Sequence, residues 1–391
     1  MRIRVVDSLQ EIDAAAWNAA AQDAARAQNA DDDNPFVRHE FLLALEQSGA
    51  ASTRRGWTPC HLIAEDDNGG FCGGVACWLK SHSQGEYVFD HGWAEAYARA
   101  GGAYYPKLQV SVPFTPATGP RLLAGDAAVR AALRNGLRAL RGEADASSLH
   151  STFLPEAEAR EWARDGFLHR TDQQFHFINE GYADFDAFLA ALSSSKRKTI
   201  RRERRDALAS GITIETLTGS AISEAHWDAF FEFYMDTGSR KWGRPYLNRR
   251  FFSLIGTSMA ERIALVMAKR DGRYIAGAIN FIGARTLYGR NWGAIEQHPF
   301  LHFEVCYYQA IDFALLRGLA VVEAGAQGEH KLLRGYRPVT THSVHDLADP
   351  ALRRAVEDYL QRERAYVAAL HDEYEEHMPF RKDEIHGDRD S

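Results

Sequence analysis

An internal repeat is the feature that most constrains the fold of this chain. The early segment RIRVVDSLQEIDAAAWNAA and the central segment GITIETLTGSAISEAHWDAF share one pattern: a short alternating strand, a polar turn and an amphipathic helix carrying a Trp. Downstream, NPFVRHEFLLAL and RPYLNRRFFSLI also match. Trp227 follows Trp17 by 210 residues, and Pro245 follows Pro35 by the same 210 residues. We therefore predict a duplication, with two unrelated α+β domains as the alternative.

The match extends into strand-rich segments. HLIAEDDNGGFCGGVACWL and ALVMAKRDGRYIAGAINFI each read as strand, turn and strand, with Asp and Gly in the turn. EYVFDHGWAEAY is predicted to match the strand TLYGRNWGAIEQ. Each half then reads β-α-α-β-β-β followed by a helix, and in the second half Gly318 closes that helix, FLHFEVCYYQAIDFALLRG. The strand AVVEAG comes next.

The predicted fold class is α/β (α+β), with mixed sheets flanked by helices. A chain of 391 residues exceeds one ordinary core, so we expect two tandem domains. Their predicted ranges are 1–165 and 175–391, and the second includes a basic helix at 193–209 and a C-terminal helix.

Composition limits the classes of function. The chain is 45% hydrophobic and 25% charged with a net charge of −7, so any contact with nucleic acid requires a local basic patch. The four cysteines form no CxxC pair and no zinc-type spacing, which indicates a reducing compartment without a disulfide framework. No apolar run resembles a signal peptide or is long enough to span a membrane. We expect a soluble, cytoplasmic protein.

The order of elements is that of the GNAT acyltransferase fold, taken twice. The strings SSSKRKTIRRERRDALASGI, KWGRPYL, FLHFEVCYYQAIDFALLRGL and EAGAQGEHKLLRGY resemble the FemAB-like family of peptidoglycan biosynthesis or recognition proteins, over nearly the whole chain. The resemblance implies a transferase that moves an acyl or aminoacyl group onto an amine acceptor such as a cell-wall precursor. It also implies a substrate groove between or across the halves. The alternatives are an acyl-CoA-dependent N-acyltransferase and a non-catalytic ligand-recognition protein.

The absence of one loop bears on which molecule donates the acyl group. Ordinary GNAT enzymes hold the coenzyme A pyrophosphate with an Arg/Gln-x-x-Gly-x-Gly/Ala loop. The corresponding stretch here, GAIEQHPFLHFE, contains Pro299 and no glycine-rich loop. This favours a Fem-like donor, which the resemblance implies is aminoacyl-tRNA, with tRNA as a partner; acyl-CoA stays the alternative donor. No tightly bound cofactor is expected, and the oligomeric state stays open.

A basic segment is the candidate phosphate-binding region. In SSSKRKTIRRERRDALASG the serines Ser193–Ser195 can cap a helix, and seven cations crowd the next three turns. Clustered cations near a helix N-terminus suit a phosphate of tRNA, of coenzyme A or of a lipid-linked diphosphate. The alternative is a solvated helix face paired with Glu203 and Asp206. The assigned residues are Lys196, Arg197, Lys198, Arg201 and Arg202.

The stretch EAGAQGEHKLLRGY, residues 323–336, carries the predicted chemistry. It follows an apolar strand, and residues at the carboxyl end of a strand in an α/β sheet line the ligand crevice. Acyl transfer needs a base for the attacking amine and donors for the developing oxyanion. The resemblance adds that Lys331 lies near a donor or acceptor phosphate. The alternative is a polar strand end in solvent. The candidate catalytic residues are Glu323, Glu329, His330, Lys331 and Glu304.

Further candidates are substrate-binding residues. Asp90 and His91 are predicted on one strand, where neighbours face opposite ways and make separate contacts. The prolines of YYPKLQVSVPFTPATGPRLL are predicted to exclude ladder pairing, so that this run lines a groove or simply connects the halves. His302 and Cys306 lie four apart, and a structural cysteine is favoured over a catalytic pair. No metal site is predicted. The substrate-binding candidates are Asp90, His91, Lys107, Arg121, Gln327 and Tyr336.

Overall fold

The computed structural model describes residues 1–381 apart from Asp32, 242–244 and 326–327. The described residues form fourteen strands and twelve helices. The strands are β1 Arg2–Val6, β2 Trp57–Pro59, β3 His61–Glu65, β4 Phe71–Val75, β5 Cys77–Lys80, β6 Lys107–Val110, β7 Ser148–Leu154, β8 Leu168–Ile178, β9 Thr213–Thr218, β10 Ile263–Arg270, β11 Arg273–Ile282, β12 Thr286–Ala294, β13 Val321–Glu323 and β14 Arg337–Leu347. The helices are α1 Ala14–Ala27, α2 His39–Gln47, α3 His91–Arg99, α4 Ala127–Glu143, α5 Glu156–Arg164, α6 Phe185–Ala191, α7 Ser194–Ala207, α8 Glu224–Lys241, α9 Arg249–Ser258, α10 Leu301–Phe303, α11 Gln309–Leu316 and α12 Pro350–Glu376.

The chain forms two compact units. The described residues of 1–172, 246–259 and 340–368 make the first unit, and those of 173–245, 260–339 and 369–391 make the second. The tandem domains predicted from the repeat, 1–165 and 175–391, follow the order of elements along the chain and stay a prediction. Compactness groups the chain differently, because α9 and most of β14 belong to the first unit.

The first unit contains a mixed sheet with strand order β2-β5-β6-β7-β14, and β1-β3-β4 forms a smaller antiparallel sheet. Strands β6 and β7 run parallel, joined by the crossover helix α4, while the other neighbours run antiparallel. Leu108, Val110 and Leu149 of the sheet belong to one apolar core with Leu133 and Leu137 of α4. Because side chains alternate along a strand, the opposite face of these strands carries a different set of residues.

The second unit contains a sheet with the order β8-β13-β12-β11-β10-β9, to which β8 contributes residues 173–178. Strands β12 and β13 are parallel, and the remaining pairs are antiparallel. The hairpin between β10 and β11 turns at Asp271 and Gly272, which both have positive φ. This is the Asp-Gly turn that matches the twist of paired strands. Mixed sheets flanked by helices are therefore confirmed.

The structure repeats the element order that the sequence predicts at the start of each half. Trp17 lies on α1 and Trp227 on α8, and both are buried. Helices α2 and α9 begin 210 residues apart, at His39 and Arg249. The orders β1-β3-β4 and β9-β10-β11 also agree. Superposition of the two halves stays a prediction.

One predicted strand is wrong. EYVFDHGWAEAY contains no strand, because α3 begins at His91 and Asp90 occupies the N-cap position. The carbonyl of Asp90 accepts from the backbone N–H groups of Trp93 and Ala94. Trp93 and Tyr97 are four apart, the spacing of one helix face, and this period outweighs the short apolar run before it. By element order, β6 is the counterpart of β12.

The exclusion of ladder pairing from the proline-rich run is also wrong. Strand β6, Lys107–Val110, pairs with both β5 and β7 between Pro106 and Pro113. A proline removes only its own N–H donor, so four residues between two prolines keep all of theirs.

The helix that precedes β13 is interrupted. Helix α10 passes into a π-helical turn, Glu304–Tyr308, before α11 begins. Gly318 follows the end of α11 at φ +65° and donates its N–H to the carbonyl of Leu315, as its predicted capping role requires. Within the described part of the chain, no helix is both long enough and apolar enough to cross a membrane.

Candidate functional site

Strands β12 and β13 run together for three paired positions and then diverge. Their last pair joins Tyr288 to Glu323, where β13 ends, whereas β12 continues to Ala294 alongside β11. The residues of β12 just beyond the last pair, 289–292, are only half-buried. Ligands of α/β sheets bind at the carboxyl ends of parallel strands, so this divergence, here called the crevice, is the candidate site.

Glu323 lies at the edge of the crevice opposite a histidine of β8. Its residue pair across the antiparallel ladder is His176, and directly opposite residues bring their side chains together on one face. Both side chains are buried. Burial lowers the pKa of His176 to about 3, and the positive charge of Lys331 contributes to this shift. The imidazole beside Glu323 is therefore uncharged at neutral pH.

Lys331 is a buried positive charge near Glu323. It lies on a 3₁₀ turn, Glu329–Arg334, that follows Gly328, a residue with φ +120°. Its side chain is 1% exposed, and Nζ donates to the carbonyl of Gly325 at 2.8 Å. Burial lowers the pKa of Lys331 to about 8, while the charge of Glu323 opposes the fall. Most of the population keeps a desolvated ammonium at pH 7, which is the kind of group that stabilises an anion strongly.

A group of rings lies around His330, the residue before Lys331 in the chain. His330 is exposed, and its Nε2 lies 2.8 Å from the hydroxyl of Tyr307, a residue of the π-helical turn. The ring centroids of His302 and Tyr307 are 5.4 Å apart, and those of Trp292 and His302 are 5.3 Å apart. Partial loss of water around its ring lowers the pKa of His330, and the charges of Arg334 and Lys331 add to the effect. His330 is therefore neutral at pH 7 and can accept or donate a hydrogen bond at the rim.

Glu304 has a structural setting. Its side chain is completely buried, and both carboxylate oxygens accept from the guanidinium of Arg204, at 2.9 and 3.1 Å. The amide of Gln309 adds a third bond at 2.8 Å. Bidentate arginine–carboxylate pairs are strong and fixed in geometry, so these contacts tie Glu304 to α7 and α11. We therefore interpret Glu304 as the anchor of α7 on the π-helical turn.

Two other candidates are core residues. Tyr336 is fully buried in the apolar core of the second unit. Arg121, in the first unit, is buried and donates to the carbonyls of Thr152 and Ala117, at 2.8 Å each. Both side chains brace their own unit. Gln327 lies outside the described residues, and only the backbone of Glu329 is described.

The basic helix α7 presents cations on its surface. Lys198, Arg201 and Arg202 are exposed, whereas Lys196 and Arg197 are half-buried. Arg201 pairs with Asp186 at 3.0 Å. Phosphate binding by these five residues stays a prediction. The predicted alternative partner Glu203 faces inward instead and pairs with Arg334 at 2.9 Å.

The candidate residues of the first half, Asp90, His91 and Lys107, do not lie in one place. Asp90 and Lys107 are buried together, with Nζ of Lys107 2.5 Å from Oδ2 of Asp90. His91 is exposed at the start of α3, and its ring stacks on Phe89. This buried pair belongs to a larger polar cluster that was not predicted from the sequence. Its other members are Lys80, Glu86, Tyr104, His150 and His345. Period-2 alternation in CWLK, KLQV and SLHS was the signal that places the strand members on one face.

A family model and two solved structures agree with this fold. A family model named FemAB-like and described as peptidoglycan biosynthesis/recognition matches residues 8–382. The crystal structure of FemX is similar with a TM-score of 0.55 and 12% identity, covering 91% of this chain and 100% of that chain. The C-terminal domain of a putative lysylphosphatidylglycerol synthetase from Agrobacterium fabrum is similar with a TM-score of 0.52 and 10% identity. The match covers 88% of this chain and 96% of that chain. A tandem GNAT protein from the clavulanic acid biosynthesis pathway has a TM-score of 0.46 and 14% identity to this chain. The match covers 89% of this chain and 99% of that chain. No curated protein matches the chain significantly.

Proposed function

The chain belongs to the FemAB-like family, and we propose that it is a transferase that moves an aminoacyl or acyl group onto an amine acceptor, such as a peptidoglycan precursor. The observation that carries the proposal is the buried ammonium of Lys331, held on the Gly325 carbonyl beside Glu323 at the end of β13. The confirmed α/β class, with mixed sheets flanked by helices, is compatible with it. The likeness to FemX and to a putative synthetase of an aminoacylated lipid supports it.

In the proposed reaction Glu323 accepts a proton from the attacking ammonium. The free amine then attacks the carbonyl carbon of the donor ester or thioester, and a C–N bond forms. Lys331 stabilises the negative charge that develops on the carbonyl oxygen. The C–O or C–S bond to the donor breaks as the nitrogen loses a second proton to the leaving oxygen or sulfur, and the proton held by Glu323 passes to solvent.

Aminoacyl-tRNA is the donor that we favour. The sequence lacks the glycine-rich pyrophosphate loop before α10, and α7 carries exposed cations that suit a phosphate backbone. Aminoacyl-tRNA and acyl-CoA are both intracellular, so the proposal places the protein in the cytoplasm. An acyl-CoA donor is the alternative outcome of the test.

A mass-spectrometric product screen tests the proposal. The full chain is incubated with charged tRNAs or acyl-CoAs in the presence of amine-bearing cell-wall precursors. With an active pair, Lys331→Ala is expected to lower turnover on the order of 10²-fold, as loss of one oxyanion donor does elsewhere. Glu323→Gln should remove the acidic limb of the pH–rate profile, because the base is gone while the side-chain shape is kept.

Arg273→Ala is the matched control, because Arg273 is exposed on β11 of the same unit. Normal turnover in both site variants would overturn the assignment of the crevice. Tight binding of a precursor without turnover, with every donor class, would instead identify a recognition protein.

A further inference from the structure

The first unit contains a pair of cysteines on neighbouring strands that the proposed reaction does not use. Pro59 lies opposite Trp78 where β2 pairs with β5, and the ladder of β3 with β4 continues the same register. Cys60 follows Pro59 and Cys77 precedes Trp78, so the shared register places the two cysteines directly opposite each other. The backbone N–H of Cys60 donates to the carbonyl of Cys77 at 3.0 Å. They therefore form a cross-strand pair.

The spacing of this pair suits a disulfide. Directly opposite residues of antiparallel strands have Cα atoms about 4.5–5.5 Å apart. Disulfides join residues whose Cα atoms are about 4.4–6.8 Å apart. The Sγ atoms of Cys60 and Cys77 are 3.8 Å apart, and both residues are free thiols. An S–S bond of about 2.05 Å can then form by rotation of the two side chains, because the strands already have the required spacing.

The two thiols differ in their access to solvent. Cys60 is half-buried, whereas Cys77 is completely buried in the apolar core of the first unit. Burial raises the pKa of Cys77, and the hydrogen bond with Cys60 adds to the rise. Cys77 is therefore a neutral thiol at neutral pH, and a thiol is a poor nucleophile compared with a thiolate. An oxidant in solution thus reaches Cys60 first.

We propose that Cys60 and Cys77 form a reversible oxidation site, in which hydrogen peroxide converts the two thiols to a disulfide and a dithiol reductant restores them. The thiolate of Cys60 attacks one peroxide oxygen, the O–O bond breaks, and Cys60 sulfenic acid and hydroxide form. The sulfur of Cys77 then displaces the sulfenic hydroxyl, which leaves as water with the proton of the Cys77 thiol. The first hydroxide takes up the proton that Cys60 released. The two sulfurs lose two electrons, and peroxide is reduced to two water molecules.

The disulfide closes the loop 61–76, which contains both strands of the β3–β4 hairpin. At Cys60 and again at Cys77 the chain passes between the mixed sheet and the smaller antiparallel sheet of the first unit. A cross-link there restricts the unfolded chain and so stabilises this crossing. Because Cys60 is half-buried, a dithiol reaches the same sulfur that peroxide reaches, and the bond is reducible. In the reducing compartment that the cysteine pattern predicts, the pair stays as thiols until peroxide accumulates.

Thiol titration and peptide mass spectrometry of the full chain test the oxidation site. The reduced, folded chain is treated with a small molar excess of hydrogen peroxide, and the remaining thiols are then alkylated in denaturant. We expect the four free thiols to fall to two, and the peptides that contain Cys60 and Cys77 to be joined. Dithiothreitol should restore all four thiols. In Cys77→Ala, oxidation should stop at the sulfenic acid of Cys60, which dimedone traps.

Cys72→Ser is the matched control, because Cys72 is also half-buried and lies on β4 of the same unit. This variant should still form the disulfide. Peptide mapping of the unaltered chain needs no substitution, so the test stands even if Cys77→Ala does not fold. Three results would overturn the proposal: no loss of thiols under peroxide that oxidises a free dithiol, a link from Cys60 to any other cysteine, or further oxidation of Cys60 while Cys77 stays a free thiol. None of them bears on the product screen at Glu323 and Lys331.

Discussion

Lys331 in the second unit and Lys107 in the first are buried to the same degree, but their partners differ. Lys331 donates to the neutral carbonyl of Gly325, and its pKa falls to about 8. Lys107 donates to the carboxylates of Glu86 and Asp90, and its pKa is raised. The hydrogen-bond acceptor of a buried lysine, more than its burial, decides the direction of its pKa shift. Two carboxylates keep Lys107 charged, whereas a carbonyl leaves Lys331 able to lose its proton near pH 8. Residue type alone cannot distinguish the two.

The largest expected effect is on stability in the first unit. Lys107→Met should lower the free energy of unfolding by about 3–5 kcal/mol, because two buried carboxylates lose their ammonium. The same substitution at Lys331 should cost about 1–2 kcal/mol, since one hydrogen bond to a carbonyl is lost. Denaturant unfolding of both variants measures the difference. Equal losses would remove the distinction between the two lysines.

Acidification should destabilise both units through their neutral histidines. The pKa values of His150 and His176 in the folded chain are about 3, below the unfolded value of about 6.5. Between these values the unfolded chain binds more protons, so stability falls as pH falls, on the order of 1.4 kcal/mol per pH unit for each histidine. His150→Asn and His176→Asn should each flatten the fall between pH 6 and 4. Unchanged slopes would show that the rings protonate in the folded state.

The pH–rate profile separates Lys331 from a purely structural lysine. If its ammonium stabilises the oxyanion, turnover should drop about tenfold per pH unit above pH 8, where Lys331 loses its proton. Lys331→Arg stays charged, so its profile should be flat up to pH 10 even where absolute turnover is lower. A persistent alkaline limb in the arginine variant would assign that limb to another group.

The smallest effect on stability is expected at the surface of α7. Combined replacement of Lys196, Arg197 and Arg201 by Ala should leave the unfolding midpoint nearly unchanged, because accessible charges contribute little to folding. It should weaken binding of a phosphate-bearing donor and reduce the salt dependence of that binding. Arg204→Ala is the control on the same helix and should destabilise the chain, because it leaves the buried Glu304 without its guanidinium. Donor binding that is unaffected by the triple change would make the surface cations a solvated face.

Local patterns determined much of the architecture. The spacing of 210 residues places Trp17 and Trp227 on equivalent helices, and Gly318 ends a helix through its left-handed backbone. The apolar run before EAGAQGEHK predicted a strand that ends in polar residues, and β13 ends at Glu323, whose side chain is buried. These predictions succeed because turns, caps and strand ends depend on residues within a few positions of one another.

Local patterns gave wrong predictions in two situations. In one, strand and helix patterns overlapped in the sequence; in the other, a residue far along the chain determined what a side chain does. A short apolar run before α3 suggested a strand for Asp90 and His91, but helical spacing prevailed. Glu304 is a candidate base by sequence, yet Arg204, which approaches from another helix, donates to both of its carboxylate oxygens. A carboxylate's role depends on its nearest charge, and that neighbour is set by packing.

The amino-acid sequence by itself determined the repeated element order, the α/β class and the family, because these depend on periodicity and on long matching strings. Only the tertiary structure decided that Lys80, Glu86 and Lys107 meet beneath one irregular segment, and that Lys331 rests on a carbonyl. Alternation along a strand tells which face a side chain takes. It does not tell which loop covers that face, and a buried charge takes its pKa from the atoms that replace its water.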